Sequence, residues 1–498
     1  MGKDRRWWWI PVLGGGLLAG VALPPLGWPP LLWLALVPLW RAPLAAVARP
    51  LGSGFLWGLG AVLVSHRWLL WLHPLTWVGV PAPLSLPLCV ALWLGCGLLA
   101  GLLVAAWSAL GARLGAERFS TALITSLLWG LGETLLAKGP LFWIGLGGSA
   151  LPGDPALAGL GALGGSALVV AAQLLIGWAL AQTLGPQGAA RRPWAAALAL
   201  VLGLHLSGAL ALAAAQSPGA GRAGSPLRLL VLQPAIPTRE KFQPAQQERL
   251  LHLLAAAQRE AVGRQADALL LPEGALAVGQ PLPLASTVEV LGGGFRYDGE
   301  QLRSSLLGFS PGSRQPDRWI DKHRLVPLGE WVPWAGWWRS AGLSAVGGVE
   351  PGPPSRLLMA DGRDPGPGIA VAICYELSDG AALASAVRGG AGWLLASANL
   401  DPYPLQLQQQ FEALARQRAI ETGRWLVSSA NTGPSLLVDA RGQVRSRLGP
   451  GRARTGVMVL EPLTALTPYD RWGDGPLVLL LLGAVLVRWR RSGRAQML

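Results

Sequence analysis

Three residues of different kinds stand where this chain could use them together: Glu273, Lys322 and Cys374. Glu273 follows the apolar run Leu269-Leu270-Leu271-Pro272, and Lys322 follows Trp319-Ile320-Asp321. Cys374 ends the run Ile369–Ile373, before Tyr375-Glu376 and a Ser378-Asp379-Gly380 turn. Short apolar runs bounded by turn residues read as buried strands, and α/β folds gather their sites at strand ends. A cysteine between a buried strand and a helix is exposed at a sharp turn, and the helix N-terminus beyond it favours the thiolate. With a carboxylate as general base and an ammonium to hold the charge of a tetrahedral intermediate, that sulfur can attack a carbonyl carbon. A lone cysteine is more often a small buried hydrophobe, so position alone leaves both readings of Cys374 open.

A cysteine–histidine pair is the other arrangement to weigh. The polar half of the chain carries His252 and His323. His323 is adjacent to Lys322, and neighbouring side chains on a strand point to opposite faces, so the two cannot both meet the nucleophile. A Glu, Lys and Cys set needs no histidine.

The elements that must position these residues follow from the hydropathy of the chain. From Leu227 onward, short apolar runs alternate with helical stretches, the pattern of an α/β layer fold. Strands are predicted at Leu227–Leu232, Ala268–Leu271, Leu306–Phe309, Trp319–Asp321, Ile369–Ile373, Trp393–Ala396, Trp425–Ser429 and Ser435–Val438, with helices at Pro244–Gly263, Ala381–Arg388 and Leu407–Thr422.

The remainder of the 498 residues is of another character. Hydrophobic residues make up 51% of the chain and charged ones 14%, which implies a bilayer. A transmembrane helix needs about 20 mostly apolar residues. Seven candidates precede the polar region, centred near Leu17, Leu34, Gly60, Leu94, Leu127, Val170 and Leu202, and an eighth lies near Leu480. The first is not read as a cleaved signal, because further apolar spans follow it directly and Pro24-Pro25 makes a turn. The expected organisation is a membrane domain over 1–215 with seven transmembrane helices, a catalytic domain over 222–475, and a C-terminal transmembrane helix with a basic tail over 476–498.

Orientation follows from basic residues in short loops. Lys3, Arg5 and Arg6 precede the first span, Arg41 and Arg49 follow the second, Arg113 and Arg118 the fourth, and Arg191 and Arg192 the sixth. Those loops are cytoplasmic, and seven crossings then leave the α/β domain outside. The formal charge of +14 belongs largely to such anchors, and no basic stripe or motif points to nucleic acid. Cys89, Cys96 and Cys374 make neither a disulfide framework nor a metal site, since two lie in an apolar run and the third is far away. Within the spans, Glu133 is either a functional carboxylate or a partner for Lys138 or Arg67. His66-Arg67 is expected to snorkel to an interface.

The motifs together resemble a known family. Pro272-Glu273, then Asp321-Lys322-His323-Arg324-Leu325-Val326-Pro327-Leu328-Gly329-Glu330, then Ile373-Cys374-Tyr375-Glu376 are similar to the Glu-Lys-Cys triad of the nitrilase superfamily. Set behind seven spans, the middle motif looks most like the apolipoprotein N-acyltransferases. The resemblance also takes in Gln233–Pro237, Arg418–Glu421 and Asn431-Thr432-Gly433. It implies an αββα sandwich joined to a multi-pass α-helical membrane domain, with Glu273, Lys322 and Cys374 catalytic. Glu330 would help position the site, and Tyr375 and Glu376 would shape the pocket. The implied reaction takes an acyl chain from a phospholipid onto the cysteine as a thioester. It then passes the chain to the amine of the diacylglyceryl-cysteine that begins an apolipoprotein, at the outer side of a bacterial inner membrane and without a cofactor or metal. The run Trp331, Trp334, Trp337 and Trp338 reads either as a membrane-dipping lid, which lipid access would need, or as ordinary aromatic packing. The alternative within the superfamily is a membrane-anchored amidase acting on a small carbon–nitrogen substrate, which would not need seven spans.

Overall fold

The computed structural model describes residues 7–42, 49–76, 80–139, 142–184, 191–215, 221–241, 243–327, 330, 348–359 and 367–495. A helix occupies each apolar run: α1 Trp9–Ala22, α2 Pro29–Arg41, α3 Pro50–Ser65, α4 Ala82–Leu114, α5 Phe119–Ala137, α7 Gly161–Thr183 and α8 Arg191–Ala214, with the short α6 Pro155–Ala158 before α7. Four of them, α4, α5, α7 and the Pro193–Ala214 part of α8, are long and apolar enough to cross a membrane. α1 and α3 are shorter, at 14 and 16 residues. Apolar side chains stay outward along these helices, Leu198, Leu202, Leu206 and Leu210 of α8 among them. A water-exposed helix would not keep such a face, and a lipid-facing one does.

The second half is a two-sheet sandwich. β1 Leu227–Gln233, β2 Ala268–Leu276, β3 Glu289–Asp298, β4 Gln301–Phe309, β5 Arg318–Asp321 and β12 Arg454–Leu460 form one sheet in the order β12-β1-β2-β3-β4-β5. β6 Leu357–Leu358, β7 Gly368–Ile373, β8 Ala391–Ala398, β9 Leu426–Ala430, β10 Ser435–Val438 and β11 Val444–Leu448 form the other, in the order β11-β10-β9-β8-β7-β6. α9 Pro244–Gly263 covers β1 and β2. α10 Gly380–Arg388 and α11 Leu405–Thr422 cover β7 to β10, while β1 and β2 face β8 and β9 across the middle. The layers are therefore αββα.

The central strands are the predicted ones because each is mostly apolar and buried: all six residues of β7 and all eight of β8 are buried. Parallel strands covered on both faces read as continuous apolar runs. Four strands lie outside the sequence expectation. β3 holds Gly292-Gly293-Gly294, which weakens any strand signal. β11 alternates Arg445 and Arg447 with half-buried residues, β12 is only partly buried, and β6 has two residues.

The sandwich sits directly on the membrane helices. α11 packs along α7, Gln406 Nε2 donates to the Val64 and Ser65 carbonyls at 3.3 and 3.2 Å, and Gln410 Nε2 donates to Ser65 O at 3.0 Å. These bonds satisfy carbonyls freed at the end of α3 and leave no solvent layer between the parts. The chain then leaves through α12 Pro468–Trp472 into α13 Gly475–Ala495, which packs on α5.

Candidate active site

β7 ends at a turn that the backbone makes tight. Cys374 has φ of +54°, a conformation that costs a non-glycine residue about 1–3 kcal/mol and persists only where the surroundings enforce it. A 3₁₀ turn, Cys374–Ser378, follows at once. Glu376 is the enforcing residue. Its Oε2 accepts the Ile373 amide at 2.9 Å, closing the turn on itself, while Oε1 accepts the His323 amide at 2.7 Å and the Arg324 amide at 3.2 Å. Arg356 Nη1 lies 2.8 and 2.9 Å from the two Glu376 oxygens, and its Nη2 donates to Asp321 O at 2.8 Å. One buried carboxylate and one buried guanidinium thus fasten the turn bearing Cys374 to the segment bearing Lys322.

Glu273 lies inside β2, at a register irregularity between Leu271 and Leu276, where an unpaired stretch re-aims its side chain. Its neighbour across the sheet must be glycine, because a Cβ on Gly293 would come 2.5 Å from Glu273 Cα. Lys322 Nζ is 2.8 Å from Glu273 Oε1 and 2.8 Å from Glu330 Oε1, with its side chain wholly buried. Glu330 is itself held by the Val326 amide on Oε2 at 2.9 Å, and Glu273 by the Asn399 amide on Oε2 at 2.9 Å. Cys374 lies close enough to the Glu273 carboxylate and the Lys322 ammonium for both charges to act on its thiol. All three sequence-derived residues, with Glu330, therefore meet at one point. Among the described residues no group of three or more His, Cys, Asp or Glu could hold a metal ion.

Burial and the Glu273 carboxylate raise the Cys374 thiol well above its usual range, against the opposing pull of Lys322. The thiolate expected from a following helix end is thus replaced by a resting thiol, because a buried sulfur beside two carboxylates pays more for ionising than a short 3₁₀ turn returns. Burial would discharge Lys322, but Glu273 and Glu330 overcome it and hold the ammonium well above its ordinary value. Burial raises the Glu330 carboxyl despite Lys322. At rest the site holds a neutral thiol at Cys374 and a fixed ammonium at Lys322.

Tyr375 and Tyr403 are both buried close to Cys374. Rings from the connections after α3 and α5 reach the same place. Phe142 is 5.4 Å from Tyr375 and stacks on Phe411 at 4.9 Å, and Trp68 is 5.6 Å from Tyr403. Sequence reasoning gave no site role to Asn399, Arg356, Phe142 or Trp68. Asn399 could have been found by the strand-end rule that found Glu273, since it follows the buried, mostly apolar β8; Arg356 carries no such signal.

The other candidates fall elsewhere. His323 turns its Nδ1 to Gly352 O at 2.7 Å, and His252 is exposed on α9. Glu133 pairs with neither Lys138 nor Arg67: it accepts Trp129 Nε1 at 2.8 Å and the Leu146 amide at 2.9 Å, anchoring the turn after α5. His66 does not snorkel. It is buried, 2.9 Å from Ser65 Oγ and 3.3 Å from Phe142 O, and Arg67 Nε donates to Gln406 Oε1 of the sandwich at 2.8 Å. The catalytic domain occupies the place where lipid was expected. Cys89 and Cys96 lie in α4. The tryptophan run 331–338 lies outside the described residues.

No family model matches the chain. Individual relatives do. An apolipoprotein N-acyltransferase of Prochlorococcus marinus strain MIT 9313 is 47% identical over 98% of this chain and 97% of its own. That of Parasynechococcus marenigrum strain WH8102 is 48% identical over 92% of this chain and 95% of its own. Among solved structures, Saccharomyces cerevisiae Nit3, a member of the nitrilase superfamily, is similar with a TM-score of 0.36 and 16% identity, over 48% of this chain and 92% of that one. With identity near one half along almost the entire length, this chain belongs to the apolipoprotein N-acyltransferase family.

Proposed function

We propose that the protein moves an acyl chain from a phospholipid, through a thioester on Cys374, to the N-terminal amine of diacylglyceryl-cysteine in apolipoproteins. The observation that carries this reading is the convergence of Cys374, Glu273 and Lys322 at one buried point, seated against the segments that follow α3 and α5 through Trp68 and Phe142. A small-substrate amidase would have no use for that seat.

In the first half-reaction Glu273 takes the Sγ proton as sulfur attacks the ester carbonyl carbon. Lys322 uses two of its three ammonium protons on Glu273 and Glu330, and the third serves the oxyanion. Collapse of the intermediate breaks the acyl carbon–oxygen bond, and the proton held by Glu273 passes to the departing glycerol oxygen. In the second half-reaction the acceptor amine attacks the thioester, Glu273 takes a proton from nitrogen, and the sulfur leaves and is reprotonated. A thioester suits this relay, being formed and broken more easily than an amide. Glu330 keeps Lys322 in place and is not itself a proton carrier.

The topology proposed with it has seven helices crossing before the sandwich and α13 crossing after it, in a bacterial inner membrane with the site on the periplasmic side. Its support is the placement of Arg41, Arg49, Arg113 and Arg118 at alternate helix connections. A reporter inserted at the exposed Gly299 turn between β3 and β4 checks the side; activity of a cytoplasm-only reporter there would overturn it.

The chemistry is tested by incubating the purified protein with acyl-labelled phospholipid. A hydroxylamine-sensitive adduct is expected on the chain and absent from Cys374→Ala. Failure of the unsubstituted protein to form any such adduct sinks the proposal.

A further inference from the structure

A second lysine lies near Glu273. Lys241 stands in the segment between β1 and α9, partly buried, with Nζ 5.5 Å from the centre of the Phe295 ring. The neighbouring residue, Gly274, has φ of +66°, and a Cβ there would come 2.5 Å from Lys241 Nζ. Even without strain, a side chain at 274 would occupy the ammonium's place, so the chain keeps that place open. Lys241, Glu273, Gly274, Asn399 and Asn431 line a cavity of about 10 Å³, room for one water or one oxygen of a ligand. The mechanism above gives Lys241 nothing to do. Its charge is partly desolvated, and Glu273 is close enough to act on it.

The charges around the nucleophile say what such a cation is for. Glu273 and Glu330 set two carboxyls against the single ammonium of Lys322. That balance suits an incoming amine and disfavours an anionic donor. A phospholipid brings a phosphodiester only a few bonds from the ester carbonyl, hence close to Glu273 when the carbonyl is at Cys374. In a low-dielectric site, like charges so near repel strongly unless a cation intervenes. We propose that Lys241 binds the phosphodiester of the acyl donor, one phosphate oxygen taking the small cavity between Lys241, Glu273 and Asn399. Lys322 then serves the oxyanion and Lys241 the headgroup, and departure of the lysophospholipid leaves a site whose charge favours the amine. The inference rests on the donor being a phospholipid, as read above.

Binding separates this role from one in holding Glu273. The full chain is purified in detergent as Cys374→Ala, and affinity is measured for a diether phosphatidylglycerol, which cannot be cleaved, and for the diether glycerol bearing the same chains. Adding Lys241→Gln is expected to weaken the phospholipid about tenfold or more and the neutral diether less than about twofold, with Lys241→Arg keeping most of the preference. Equal weakening of both lipids would make Lys241 a positioning residue for Glu273 and overturn the inference, as would no change in either. A misfolded Lys241→Gln protein is recognised by loss of binding to both lipids together with a lowered thermal midpoint; Lys241→Arg and Lys241→Met then decide the same ratio. If the unsubstituted chain makes no acyl-enzyme while the phospholipid preference persists and depends on Lys241, the acyl-transfer reading fails and the headgroup site stands.

Discussion

Arg356 Nη1 lies 2.8 and 2.9 Å from the two oxygens of Glu376, both side chains being almost completely buried. The pair touches none of the reacting groups, yet it joins the Cys374 turn to the Lys322 segment. Removing one member leaves the other charged and desolvated. Arg356→Met is therefore expected to cost about 3–5 kcal/mol of stability, and to lower acyl-enzyme formation by shifting Cys374 from Glu273. Thermal unfolding in detergent and single-turnover labelling check the two effects; a variant as stable and as fast as the parent would show that the pair does not hold the turn.

Glu273→Gln should leave the fold in place, because Lys322 keeps Glu330 at 2.8 Å. An amide cannot accept the thiol proton, and the Cys374 thiol is held well above its usual range by burial, so almost no thiolate forms by itself. Labelling by phospholipid is expected to fall by at least about 100-fold. Near-normal labelling would remove Glu273 from the role of base.

Lys322 tests the opposite charge. Lys322→Met removes the cation that Glu273 and Glu330 share, and the expected loss is about 3–5 kcal/mol. Adding Glu330→Gln removes one of the two carboxylates and should recover a good part of that stability while activity stays absent, since nothing then meets the oxyanion. Recovery of activity in the double variant would show that Lys322 serves only to neutralise Glu330.

A pH effect belongs to the junction between sandwich and membrane helices. Burial pushes Glu421 up to about 7 despite Arg418, and burial pushes Asp470 up to about 7 despite its bonds to Thr467. Both carboxyls thus have folded-state values above their unfolded ones. Their contribution is complete below the unfolded values near pH 4 and is lost as pH rises through about 7. The thermal midpoint of the full chain should fall between about pH 5 and about pH 8, and Glu421→Gln with Asp470→Asn should flatten that fall. An unchanged slope in the double variant would assign the dependence to other groups.

Particular residues show where sequence reasoning holds and where it stops. Cys374, Glu273 and Lys322 were legible because each follows a run whose apolarity marks a strand, and strand ends converge in any α/β layer. The membrane helices were legible because lipid accepts only a narrow composition over a fixed length. The resemblance supplied the second sheet. Glycine-rich β3, and Arg-bearing β11 and β12, could not be read locally, since their strand character comes from the partners they pair with.

What the amino-acid order determined by itself is the inventory: the apolar helices, the central strands, and Glu273, Lys322 and Cys374, the three side chains proposed for acyl chemistry. What only the tertiary structure decided is the charge state and the seat of that chemistry. The resting thiol of Cys374 follows from burial beside Glu273 and Glu330, and the alignment of its turn follows from Arg356, distant in sequence and unremarkable there. His66 and Arg67, legible as interfacial residues, bind Phe142 and Gln406 instead. Desolvation and partner choice depend on what surrounds a side chain in space, and no local pattern of residues carries that information.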